Sequence, residues 1–119
     1  MGEVMMTVLV VANAVLAVVS VAFAVVAAVR PAALSHSAEP TSGEKFYGWM
    51  YAVRAVPLGC AAAVVPLIWS GPVCAVVLLA AAVAQAGDVG IGVFRGERGM
   101  IAGSSVVGAV HVLTAVALW

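Results

Sequence analysis

Two ionisable side chains of opposite sign lie inside long apolar segments, and they are the residues of this sequence best suited to carry chemistry. Arg54 and Asp88 are the only ones among five basic and five acidic residues that fall within such segments rather than at their ends. A lone charge at the centre of a bilayer costs at least about 2.5–3.5 kcal/mol, and pairing is the cheapest remedy. We therefore expect an ion pair between Arg54 and Asp88 inside the protein.

His111 and Tyr51 would complete an acid–base site around that pair. Asp88 becomes a proton carrier if its pairing is loose or its surroundings are dry, and a histidine exchanges protons near neutral pH. Tyr51 would donate a hydrogen bond to a substrate oxygen while Arg54 orients the substrate. A structural alternative stays open, in which Arg54 and Asp88 hold the helices together and His111 is a core histidine with satisfied hydrogen bonds.

Four further side chains are candidates for contact with a substrate. Asn13 and Gln85 each lie on a stripe of polar or small residues, where the alternative role is a hydrogen bond between helices. Tyr47 and Trp49 lie where the second apolar segment enters the membrane, as expected for an aromatic belt. These four residues would line the polar centre or its entrance.

The second apolar segment carries two prolines, Pro57 and Pro66, inside its predicted helix. A proline lacks the N–H that would bond to the carbonyl four residues earlier, so it kinks the helix and leaves that carbonyl free. Pro57 frees the carbonyl of Val53, next to Arg54, and we expect a neighbouring donor to bond to it.

The elements that must position these residues are four apolar segments, each long enough to cross a bilayer. Hydrophobic residues make up 66% of the 119 residues and charged residues only 8%, whereas a soluble domain carries about 25% charged residues. A helix that spans the hydrocarbon core needs about 20 residues. The sequence therefore predicts an all-α, four-helix transmembrane bundle that forms a single membrane domain over residues 1–119. Its spans cover about residues 4–29, 46–69, 73–94 and 100–119.

The flanking charges predict the orientation of this bundle. The polar loop of residues 30–45 and the turn of residues 95–99 hold four basic residues, whereas the side with Ser70-Gly71-Pro72 and both termini holds none. An excess of Lys and Arg marks the cytoplasmic side. We therefore expect a multi-pass protein of the cell membrane, with loop 30–45 in the cytoplasm and both termini outside. The first segment is too long for a signal peptide and no basic residue precedes it, so we expect a retained helix.

Arg54 and Asp88 are predicted to lie at a similar depth in the membrane. Arg54 follows Phe46 by eight positions, which is about 12 Å from the cytoplasmic end of its span at 1.5 Å per residue. Asp88 precedes Phe94 by six positions, about 9 Å from the same side. Ser70-Gly71-Pro72 is a tight turn, so these two spans are expected to be antiparallel neighbours.

This layout resembles that of the small four-helix, DoxX-like membrane proteins. In that family a long first helix ends near a proline, an arginine with a following glycine lies early in the second helix, an aspartate late in the third and a histidine in the fourth. The resemblance implies the fold and a set of residues but no activity, because many members have no assigned function. Ala55 departs from the family, in which an acidic residue often follows the arginine. The matching residues are Arg30-Pro31, Tyr51-Ala-Val-Arg54-Ala-Val-Pro-Leu-Gly59, Gly87-Asp88 and His111.

Three functions fit these features, and the sequence leaves them open. The first is an acid–base enzyme of the isomerase, epoxide-opening or cyclase type that acts on a hydrophobic terpenoid, quinone or polyketide-like substrate. The second is a small transporter or proton-relay protein, and the third is a non-catalytic membrane subunit. Each would work as a monomer, or as a homodimer that encloses the polar centre more fully.

The expected partners are the lipid bilayer and a lipophilic small molecule. A net charge of zero provides no basic field for nucleic acid. The sequence has no motif for a metal or a cofactor, and Cys60 and Cys74 lack metal-ligand spacing. We expect both cysteines to be free, apolar side chains.

Overall fold

The computed structural model describes residues 2–119, so Met1, the first residue of the predicted domain, lies outside the described residues. Four of its five helices are long and apolar enough to cross a membrane. The predicted all-α, four-helix bundle is therefore confirmed, and the fifth helix is one short additional turn. The helices are α1 (Gly2–Val29), α2 (Pro31–Ser35), α3 (Ser42–Ile68), α4 (Pro72–Arg95) and α5 (Arg98–Leu118).

The outer surface of the bundle is apolar along the long helices. Val73, Val83 and Phe94 of α4 are 77%, 72% and 93% exposed, and valines of α1, α3 and α5 are exposed in the same way. Monomeric soluble proteins rarely expose continuous apolar surface of this kind. The protein is thus a multi-pass membrane protein whose outward side chains contact lipid.

Two helices begin inside the polar segment that was predicted to be all loop. α3 begins at Ser42 rather than at Phe46, because the Thr41 hydroxyl accepts a hydrogen bond from the Glu44 backbone N–H at 3.1 Å. Thr-x-x-Glu is a known pattern at helix starts. α2 begins at Pro31, where a missing N–H is no disadvantage in the first turn of a helix. The connection between α2 and α3 therefore shrinks to residues 36–41.

The long helices form two antiparallel pairs, α1 with α3 and α4 with α5, and α1 also packs against α5. α3 and α4 contact each other much less, although they follow each other in the chain. At one end of the bundle, which we call the loop end, His36 lies 4.0 Å from Glu97 of the α4–α5 turn. At the other end, the terminal end, the Gly71 N–H donates to the Leu118 carbonyl at 2.6 Å.

The core lies in the half of the bundle next to the terminal end, and it is built mainly of alanine. Ala62 and Ala63 of α3 cluster there with Leu78 of α4 and Ala115 of α5. Small side chains allow membrane helices to approach closely. On α3 only Ala62, Ala63 and Pro66 are buried. The loop half of α3, before Ala62, therefore has a side that no other helix covers.

The loop halves of α1 and α3 are held together by a close backbone contact. A Cβ atom at Gly48 of α3 would overlap the carbonyl oxygen of Ala27 in α1. Only glycine permits this approach, because a rigid carbonyl cannot rotate away as a side chain would. The contact holds the loop half of α3 close to α1.

Replacing Gly48 by alanine should destabilise the protein. The added methyl group forces α1 and α3 apart, and overpacking of this kind typically costs about 1–3 kcal/mol of unfolding free energy. Gly103→Ala on α5 is the matched control, because a Cβ there meets no atom within 4 Å and alanine favours a helix. Unfolding by SDS titration of the purified protein, followed by circular dichroism, measures both. Equal stability of the two variants would contradict the proposed close contact.

Candidate functional site

A buried hydrogen-bond network ties three helices together inside the bundle. Asn13 of α1 is fully buried, and its Nδ2 donates to the carbonyl oxygen of Ala62 in α3 at 2.8 Å. Its Oδ1 lies 2.6 Å from Nδ1 of His111 in α5, and that histidine is only 2% exposed. Buried polar groups without partners cost free energy. The network satisfies the Asn13 amide and one imidazole nitrogen together, so it stabilises the contact among α1, α3 and α5.

The carbonyl of Ala62 is available to Asn13 because of Pro66. In a regular helix this carbonyl would accept from the backbone N–H of residue 66, but proline has none. Asn13 supplies the missing donor from a neighbouring helix. The predicted effect thus occurs, but at a different proline. The side-chain hydrogen bonds of residues 2–119 include no donor to the carbonyl of Val53, which Pro57 frees.

The directions of these hydrogen bonds define the roles of the two His111 nitrogens. Because Nδ2 of Asn13 donates to Ala62, its Oδ1 acts as an acceptor, and Nδ1 of His111 must carry a proton. In the neutral imidazole, Nε2 then has the free lone pair. Within residues 2–119 the only fully shielded side-chain oxygen or nitrogen without a partner is Oε2 of Glu44.

Polar side chains continue from this network towards the loop end. Nε2 of Gln85 in α4 lies 3.5 Å from the hydroxyl of Ser20 in α1, which itself donates to the Leu16 carbonyl. Asp88 follows Gln85 by three residues and lies on the same face of α4, about 4.5 Å closer to the loop end. The polar residues are thus arranged by depth, from Asn13 and His111 to Gln85 and then Asp88.

Asp88 and Tyr51 lie in the loop halves of α4 and α3, respectively. Asp88 is partly buried, and Tyr51 is 38% exposed. A carboxyl and a phenol in this arrangement combine a proton acceptor with a hydrogen-bond donor, and the uncovered side of α3 gives access from the bilayer.

The predicted ion pair between Arg54 and Asp88 is wrong for the single chain. Within residues 2–119 the one contact within 4.0 Å between a basic and an acidic side chain is that of His36 with Glu97, at the loop end. Arg54 lies exposed on α3. The reason is helix packing, because α3 packs along α1 and contacts α4 far less. Equal depth on consecutive helices was therefore not enough to bring these two side chains together.

Tyr47 and Trp49 lie on the outside of α3 near the loop end. They are 69% and 59% exposed, and the Tyr47 ring packs edge-on against Phe46 at 5.8 Å between centroids. Exposed aromatic residues at a helix entrance are typical of the membrane interface. The structure does not bring them to Asn13 or His111, so any substrate contact they make would occur at the entrance.

Two apolar clefts of about 310 Å³ and 360 Å³ open at the terminal end, next to Trp119 and Trp69 respectively. Neither includes a residue of the polar network. In the described part of the chain, no three His, Cys, Asp or Glu side chains are grouped to hold a metal ion. Cys60 is exposed, Cys74 is buried and both are free, as the sequence predicted.

The geometry therefore joins the predicted residues in two groups rather than one. Asn13 and His111 form the deep network, while Asp88 and Tyr51 both lie nearer the loop end. Comparison of the chain with family models, with curated proteins and with solved structures finds no match. The site is interpreted from its own contacts, and Pro66 is the member that the sequence prediction did not include.

Asn13→Ala should lower the free energy of unfolding by about 1–3 kcal/mol, because it leaves a buried carbonyl and a buried imidazole nitrogen unpaired. Pro66→Ala restores a backbone N–H for Ala62, so Asn13→Ala should cost less in that background. A double-mutant cycle in detergent measures this coupling. Thr7→Ala, which removes an exposed hydrogen bond within α1, is the control and should change little. Equal costs of Asn13→Ala in both backgrounds would contradict a stabilising Asn13–Ala62 bond.

Proposed function

We propose that this membrane protein carries out acid–base chemistry on a hydrophobic molecule that enters from the bilayer between α3 and α4. The observation that carries the proposal is Asp88, a partly buried carboxyl inside a membrane span, together with Tyr51 in the loop half of α3. Carboxylates inside a membrane span are costly to keep and mark functional sites. A lipid-soluble molecule reaches such a site without crossing water.

In this proposal Asp88 is the general base and Tyr51 the hydrogen-bond donor. Asp88 takes a proton from a carbon next to a carbonyl group, or returns one to it, while the Tyr51 phenol donates to the carbonyl oxygen as negative charge develops there. Isomerisation and cyclisation of terpenoid, quinone or polyketide-like molecules use such steps. His111 acts here through Asn13, by holding α1, α3 and α5 in place behind the reacting groups.

The resemblance to DoxX-like proteins supports the same set of residues without indicating a reaction. The residues that match the family pattern include Arg54 in the second span, Asp88 in the third and His111 in the fourth. Tyr51 belongs to the same short motif of α3 as Arg54. This agreement favours a functional role for the loop half of the bundle over a purely structural one.

A proton relay is the second candidate, and the Ser20–Gln85 contact favours it. These two side chains lie between Asp88 and the Asn13–His111 network, so polar groups are present at three successive depths. A relay needs such a series of groups that exchange or pass protons. It differs from the enzyme in one respect, because protons would cross the membrane without any change in a substrate.

Deuterium exchange distinguishes the two candidates. Proteoliposomes that contain a lipid extract of the host membrane are incubated in heavy water, and mass spectrometry detects deuterium at carbon positions of lipophilic compounds. The wild type should exchange, whereas Asp88→Asn should lose at least about 100-fold of the rate, because the base is missing. Tyr51→Phe should lose less. Glu39→Gln, in the loop, is the control and should match the wild type.

Full exchange by Asp88→Asn would remove Asp88 as the base. If no compound exchanges, but a pH-sensitive dye inside the vesicles reports proton flux that Asp88→Asn abolishes, the relay replaces the enzyme. Absence of both activities would leave the bundle without either function. Each of these results therefore supports or removes the enzyme, the proton relay or both.

We further infer that the loop end faces the cytoplasm and the terminal end faces the outside of the cell membrane. Arg30, Lys45, Arg95 and Arg98 lie at the loop end, and the terminal end has no Lys or Arg, which is the charge bias of cytoplasmic segments. In a chain with Cys60→Ala and Cys74→Ala, a membrane-impermeant maleimide applied to intact cells should label Ser70→Cys but not Ala38→Cys. The reverse labelling would invert the orientation.

A further inference from the structure

Two opposite charges within the membrane spans have no counter-charge inside the chain. Arg54 is exposed on α3 and Asp88 is partly buried on α4, and within residues 2–119 neither contacts a side chain of opposite charge. Every other acidic residue lies in a loop or near a helix end. Burying or exposing these groups singly in hydrocarbon is costly for both of them. A molecule outside the chain that supplies both missing partners would remove this cost.

A lipid can supply a counter-charge for Arg54 but not for Asp88. The Arg54 guanidinium would bind a lipid phosphate if its side chain extended to the membrane surface. The Asp88 carboxylate requires a cation, and an anionic lipid phosphate would repel it. A second copy of the chain meets both needs at once, because it presents Asp88 to Arg54 and Arg54 to Asp88.

Symmetry makes this pairing geometrically consistent. A two-fold axis along the bilayer normal keeps every residue at its own depth, so a residue can meet only partner residues of similar depth. Counted from Phe46 and Phe94, where the apolar segments meet the loop end, Arg54 lies about 12 Å and Asp88 about 9 Å into the bilayer. Side chains on a helix tilt towards its N-terminus, which moves the Arg54 guanidinium towards the loop end and reduces that difference.

The surface around the two charges suits contact with a second helix. The loop half of α3 has no buried residue. On α4, Gly87 and Gly90 flank Asp88, and a Cβ atom at either would meet no atom of the chain within 4 Å. Packing inside the chain does not require these glycines. Small residues on an exposed membrane helix allow a partner backbone to approach closely, and the long arginine side chain can extend from there to Asp88 on the neighbouring face of α4.

We propose that the protein forms a two-fold dimer in the membrane in which Arg54 of each copy pairs with Asp88 of the other. The pair holds whether or not Asp88 performs chemistry, so the dimer goes beyond the proposed function. If the acid–base role is also correct, the partner's arginine keeps Asp88 ionised and completes the site. Each polar centre would then contain residues of both copies.

Charge exchange between copies tests this arrangement. Chains with two different tags are co-expressed and co-purified in detergent. Arg54→Asp alone and Asp88→Arg alone each place like charges at both contacts, so self-association should fall at least about tenfold. Co-expression of Arg54→Asp with Asp88→Arg restores opposite charges at both contacts, so mixed dimers should recover. If the ion pair instead formed within one chain, opposite charges would be restored only when both substitutions are in the same chain, and co-expression of the two single variants would restore nothing.

Circular dichroism and the elution position of each variant show whether it has folded. A cysteine test covers the case in which a charge variant does not fold. In a chain with Cys60→Ala and Cys74→Ala, oxidation should join a copy with Arg54→Cys to a copy with Asp88→Cys. Phe23→Cys, at about the same depth on the exposed side of α1, is the control and should not join to Asp88→Cys.

Three results would overturn the dimer. One is a wild type that stays monomeric in nanodiscs at high protein-to-lipid ratio. Another is self-association of folded Arg54→Asp equal to that of the wild type, as expected if a lipid phosphate is the partner of Arg54. The third is equal disulfide formation by the Arg54→Cys and Phe23→Cys copies. None of these measurements depends on a substrate, so the dimer can fail while the acid–base function stands, and the reverse.

Discussion

The rest of the structure depends on a carbonyl group that a proline leaves without its helical partner. Pro66 frees the carbonyl of Ala62, Asn13 of α1 donates to it, and His111 of α5 donates to Asn13. Hydrocarbon offers no water to satisfy such groups, so the three helices gain stability only when they assemble in this register. The same contacts settle which imidazole nitrogen carries a proton. The missing N–H of Pro66 therefore influences both the packing of α1, α3 and α5 and the choice of the His111 nitrogen that carries the proton.

This anchoring divides the bundle into two unlike halves. Towards the terminal end, alanines of all four long helices pack around Leu78 and form a buried core. Towards the loop end, α3 follows α1, held there by the contact of Gly48 with Ala27, and its other side is uncovered. Asp88, Tyr51 and Arg54 all lie in this open half. Rigid support and an accessible polar surface are thus provided by different parts of the same four helices.

Much of the fold followed from the sequence, because long apolar runs and polar breaks determine which segments cross a membrane. The Thr41–Glu44 hydrogen bond and the turn at Pro31 moved helix boundaries that hydropathy alone places too late. The site was harder to predict. Depth along a helix can be counted from residue numbers, but the rotation and pairing of helices cannot, so Arg54 and Asp88 were joined wrongly within one chain. Asn13 and His111 were identified as polar residues of their helices, but Pro66 was not recognised as the reason they meet.

The alanine-rich core also determines how this protein can change during evolution. Most substitutions in an ordinary core remove volume and leave a cavity, whereas a methyl side chain has almost no volume to lose. At Ala17, Ala62, Ala75 and Ala115, each of them at most 1% exposed, nearly every substitution other than glycine adds atoms where neighbouring backbones already touch. The terminal half should therefore tolerate enlargement poorly and drift slowly, while the open loop half remains free to acquire new side chains and new specificity.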